Sequence, residues 1–117
     1  MKSLPTTFPW TGRLRELASE VAHRLGVELQ ARGVWLFGSS TRGEERRDSD
    51  IDMLVVVDSS EVPRYKRAQH AHQIVADVRV PKDIVVLTRE EWESQLKVPV
   101  SLATTVLKEG ILLYGRA

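Results

Sequence analysis

The stretch from Gly33 to Asp58, GVWLFGSSTRGEERRDSDIDMLVVVD, restricts what this chain can fold into more than any other. Val34 to Phe37 is a short run of β-branched, aliphatic and aromatic residues between Gly33 and Gly38, the pattern of a buried strand. Ile51 to Val57 is a second such run with almost no polar interruption, as expected of a strand covered on both faces. Asp50 and Asp52 stand at its mouth, two residues apart, and a strand points residues at that spacing to the same side. Two carboxylates on one side of a buried strand end repel each other unless a cation joins them.

The same stretch carries the chemistry of an anion cradle. Gly38 and Ser39 follow the first strand directly, and the spacing predicts a helical turn over Ser40 to Arg47. Backbone N–H groups at a helix start bind phosphate, and a glycine lets the backbone approach it closely. Ser39 adds a hydroxyl donor and Arg42 a positive charge, whereas Arg46 and Arg47 read as a solvated loop. A phosphate cradle beside a carboxylate pair suits a nucleoside triphosphate with magnesium. The alternatives fit worse. GSSTRG lacks the Gly-Lys-Ser/Thr of a P-loop, and its glycines are wrongly spaced for a dinucleotide fingerprint.

Gly38-Ser39, ten further residues, then Asp50-Ile51-Asp52 resembles the GS-x10-DxD signature of the DNA polymerase β-like nucleotidyltransferase superfamily. The surrounding LFGSSTRGEERRDSDIDMLV looks most like the small MNT-type (minimal nucleotidyltransferase) domains, including antitoxins paired with HEPN proteins. The resemblance implies transfer of a nucleoside monophosphate, AMP from ATP in the leading reading, to a hydroxyl acceptor with release of pyrophosphate. It implies two magnesium ions, about 3.5–4 Å apart in sites of this kind, bridged by Asp50 and Asp52. A third acidic residue stands on a neighbouring strand in the family, and Asp83, ahead of the apolar run Ile84 to Leu87, fits that role. Asp77 competes for it but falls in a helical stretch. Gly38 and Ser39 would hold the outgoing phosphates. The implied acceptor is a tyrosine of a helical HEPN-type toxin, with this chain as its antitoxin. A catalytically idle domain that neutralises its partner by contact, and transfer to a small acceptor such as an aminoglycoside, are the alternatives.

At 117 residues the chain is expected to form one domain with a modest core, after an irregular leader over residues 1–10. A net charge of +1 gives no reason to expect capture of bulk nucleic acid. Without cysteine there can be no disulfide or thiolate metal site, which suits a cytoplasmic setting. No apolar run approaches a membrane span. Oligomerisation is left open.

Leu14, Leu17, Val21, Leu25 and Leu29 recur at helical spacing from about Thr11, with Gly33 as the stop. His23 on that helix reads as a surface residue and Trp10 as a core contact. A second helix is predicted from Arg64 to about Asp77. His70 and His72 point apart on it, so they make no metal pair. Thr88-Arg89-Glu90-Glu91 has the form of a capping box opening a helix through Leu96. Pro99 suits the first turn of another helix reaching Lys108, Gly110 its stop, and Ile111 to Tyr114 a last strand. The order helix, strand, short helix, strand, helix, strand, helix, helix, strand predicts an α/β or α+β domain with a small mixed sheet flanked by helices. The polymerase β-like fold itself is what the resemblance implies.

Overall fold

Apolar spacing builds the first helix, α1 (Gly12–Glu28), which buries Ala18, Val21, Ala22 and Leu25 along one face. A computed structural model describes residues 12–38 and 50–115, with side chains from residue 15 onward. The leader over residues 1–10 and the helical turn predicted over Ser40 to Arg47 lie outside the described residues. α1 does not run to Gly33. Gln30 takes a left-handed φ of 51°, while Gln30 N–H donates to Val27 O (3.3 Å) and Ala31 N–H to Gly26 O (2.9 Å). Those two bonds form a Schellman turn, with a glutamine in the position glycine usually holds. Gly33 instead begins β1 (Gly33–Phe37).

Among the described residues, seven more elements follow α1: β1, β2 (Ile51–Val57), α2 (Arg64–Ile74), β3 (Lys82–Thr88), α3 (Arg89–Leu96), α4 (Leu102–Glu109) and β4 (Ile111–Gly115). The sheet order is β3-β2-β1-β4. β2 runs parallel to β3, and β1 is antiparallel to both β2 and β4, so the sheet is mixed as expected. α2 is shorter than its sequence pattern suggested, and Asp77 lies past its end. α4 opens at Leu102 behind Ser101, whose hydroxyl accepts from Thr104 N–H (3.1 Å); Pro99 stays in the preceding turn. A serine cap satisfies a free helix N–H, which proline at Pro99 could not do.

β2 sits in the middle of the molecule with apolar layers on both sides. Ile51, Met53, Val55 and Val57 join the layer of α1 and α2, with Val21, Leu25, Ala71 and Val75. Leu54 and Val56 join the layer of α3 and α4, with Trp35, Leu87, Trp92 and Val106. Six of the seven β2 side chains are buried. At about 1.5–3 kcal/mol each, that is on the order of 10 kcal/mol before chain entropy. It is enough to hold a strand whose one polar residue is an unfavourably placed aspartate.

The predicted capping box opens α3. Thr88 Oγ1 accepts from Glu91 N–H (3.2 Å), and Glu91 Oε1 accepts from Thr88 N–H (2.9 Å). Arg67 of α2 reaches across to Glu91 (2.7 and 3.2 Å) and also donates to the carbonyls of Val62 and Val86 (3.0 Å each). β3 and α3 are thereby tied to α2. Among the described residues, no helix is long and apolar enough to cross a membrane.

Candidate active site at the strand ends

The antiparallel pairing of β1 with β2 puts Phe37 opposite Asp52, so the chain leaves β1 at Gly38 beside the start of β2. The parallel pairing of β2 with β3 puts Asp52 opposite Asp83. Asp50 immediately precedes β2 and is exposed, as is Asp83, while Asp52 is half-buried. Register thus assembles at one sheet edge three carboxylates that are up to 33 positions apart in the chain, counting from Asp50 to Asp83. Burial, then the charges of Asp83 and Asp50, push the Asp52 carboxyl above the ordinary aspartate range.

Two contacts fix this register. Ile51 N–H donates to Pro81 O (2.8 Å), joining the residue ahead of Asp52 to the one two places ahead of Asp83. The Lys82 ammonium donates to Val78 O (2.6 Å) and Val80 O (3.1 Å), closing the bend that leads into β3. Nothing in the local sequence marks Lys82 for that task; an amphipathic residue flanking Pro81 is the only hint. Asp77 is not available to the site. Its carboxylate takes two bonds from Arg24 of α1 (2.5 and 2.9 Å), which hold it below the ordinary aspartate range.

Gly38 has φ +90°, a region that side chains rarely adopt. A methyl built there would overlap Asp52 Oδ2. Sequence reasoning assigned this glycine to phosphate approach. Its missing Cβ also makes room for the most buried of the three carboxylates. Ser39 and Arg42 lie outside the described residues, so their part in a phosphate cradle remains an expectation from sequence.

The donor set is entirely carboxylate oxygen, the chemistry that suits a hard divalent cation such as magnesium. Among the described residues no three His, Asp or Glu side chains form a closed metal cluster. The carboxylates are brought to one rim rather than into a ready-made cage. His70 and His72 sit on α2, which packs through Ala71 on the sheet face of Ile51 and Met53, whereas strand alternation points Asp52 to the other face. His23 is exposed, with its ring edge-on to Tyr114 (centroids 6.0 Å apart), in agreement with a surface role.

A model of the nucleotidyltransferase domain family matches residues 14–113. No curated protein matches the chain. Among solved structures, a candidate nucleotidyltransferase from Sulfolobus solfataricus shares the fold at 24% identity over 91% of each chain, with a TM-score of 0.58. A toxin–antitoxin crystal structure with AMP-PNP does so at 24% identity over 83% of this chain and 73% of that one (TM-score 0.56). A mutant of the MntA–HpeT toxin–antitoxin pair matches at 21% identity over 83% of this chain and 72% of its own (TM-score 0.53). At such identities the likeness is one of fold.

Proposed function

Because the chain belongs to the nucleotidyltransferase domain family, we propose that it moves AMP from ATP to a hydroxyl of a partner protein, a tyrosine of a HEPN-type toxin, and acts as the antitoxin of that pair. The observation that carries the reading is the register that sets Asp83 beside Asp52, next to the turn at Gly38. Toxin–antitoxin structures of the same fold, one of them with an ATP analogue, support the choice of partner and nucleotide.

In this mechanism Gly38 and Ser39 cradle the triphosphate, with Arg42 adding charge. Asp50, Asp52 and Asp83 would hold magnesium, which would neutralise charge on the phosphates and favour departure of pyrophosphate. The acceptor oxygen attacks the α-phosphorus in line, and the bond to the bridging oxygen of pyrophosphate breaks. Asp83, exposed at the rim, accepts the proton of the attacking hydroxyl.

The test is intact-mass analysis of the partner, encoded by the neighbouring gene, after mixing with catalytic amounts of this chain, ATP and magnesium. The expected result is a partner carrying AMP groups and inactive after this chain is removed. Asp50→Asn with Asp52→Asn abolishes the modification, and Asp83→Asn cripples it while leaving most triphosphate binding. A partner silenced without any mass change, equally well by the double variant, would replace transfer by neutralisation through contact.

A further inference from the structure

The strands also frame a cleft at the end of the sheet away from the carboxylates. From Asp52 to Val57, β2 advances by five residues, about 17 Å, and the cleft opens beyond Val57. It has a volume of about 370 Å³, within the ~300–1,000 Å³ usual for small-molecule sites. Leu29, Val57 and Val86 give it an apolar floor.

Its polar lining is one-sided. Ser59 offers a hydroxyl, Ser60 has its own bonded to the Val62 backbone (3.3 and 3.5 Å), and Lys66, Arg67 and His70 offer basic groups, while no carboxylate lines the cleft. Glu61, in the same loop as the serines, is not part of the wall. Arg67 is committed to Glu91 and two carbonyls, so it stiffens the wall rather than binding. Lys66 and His70 lie one helical turn apart on α2 and are exposed. Neither forms an ion pair or a side-chain hydrogen bond among the described residues. The first turn of α2 holds no acid of its own and has no side-chain cap.

We infer that this cleft binds an organic phosphate of mononucleotide size, its apolar part on Leu29, Val57 and Val86 and its phosphate on Lys66, His70 and the Ser59 hydroxyl. The site is separate from the carboxylate rim and does not depend on the transfer reading. AMP and, separately, inorganic phosphate are titrated into the isotope-labelled full chain in EDTA, with amide shifts followed by NMR. AMP should move Ser59, Ser60, Lys66 and His70 with a saturating curve, in wild type and in Asp52→Asn alike. Inorganic phosphate moving the same amides would show that the phosphate group is what Lys66 and His70 recognise. Lys66→Glu should weaken AMP at least about tenfold, the loss of one charge-assisted hydrogen bond. It places an acid in the first turn of a helix, so its Tm should not fall. The inference is overturned by shifts centred on Gly38 and Asp52, by no saturation up to about 10 mM, by unchanged affinity in Lys66→Glu, or by a lowered Tm in that variant.

Discussion

Replacing Gly38 by alanine tests the contact that shapes the site. Two costs can be worked out from the structure. At φ +90° an added Cβ strains the backbone, by about 1–2 kcal/mol on the left-handed side of the map. The same methyl would overlap Asp52 Oδ2, so that side chain must leave its rotamer, at about 0.5–1.5 kcal/mol. Gly38→Ala should therefore destabilise the metal-free protein by about 1.5–3.5 kcal/mol in total, read from urea unfolding in EDTA. The two parts separate in a double-mutant cycle. In an Asp52→Ala background no carboxylate is left to displace, and Gly38→Ala should cost only the backbone share. The coupling between the two positions should thus be about 0.5–1.5 kcal/mol. Manganese binding by calorimetry should weaken in Gly38→Ala, since the displaced carboxylate is the one nearest the core. Additive costs, together with unchanged manganese affinity, would refute the reasoning and leave Gly38 to the phosphate cradle alone.

Asp52→Asn should raise stability in EDTA near neutral pH, because burial and the charges of Asp83 and Asp50 disfavour its ionised form. The folded state holds this proton more tightly than the unfolded chain. Wild-type stability should therefore fall as pH rises from about 3.9 through the raised folded value, and unfolding curves across pH should be flatter in the variant. Glu91→Gln should cost about 2 kcal/mol at neutral pH, because it breaks the charged bonds from Arg67. Arg67 holds the Glu91 carboxyl down at about 2, from an ordinary 4.5. Wild type should thus lose this contribution as pH falls through that window, and Glu91→Gln should show no such acid loss in denaturant titrations.

What the sequence determined by itself was written in local spacing, though the ends of α1 and α2 and the start of α4 were not. The apolar run from Ile51 to Val57 had the pattern of a strand buried on both faces, and six of its seven residues are buried. The Thr88–Glu91 box was readable because a cap and its partner lie three residues apart. Asp50 and Asp52 stood out as a pair for the same reason: strand alternation acts within a few residues.

Tertiary structure decided what depends on distant chain segments meeting. Asp83 was assigned by family likeness, and only the parallel register of β3 on β2 sets it opposite Asp52. Asp77 is withdrawn from the site by Arg24, 53 positions away, a pairing that no local window contains. The end of α1 fell to Gln30 rather than Gly33, because the chain had to turn early enough for Gly33 to pair with Val56. Gly38 looked like a phosphate residue in sequence, and its contact with Asp52 emerged only once β1 and β2 were paired. Local propensity follows from a few neighbouring dihedrals and side chains, whereas register and charge pairing arise from the packing of the whole core.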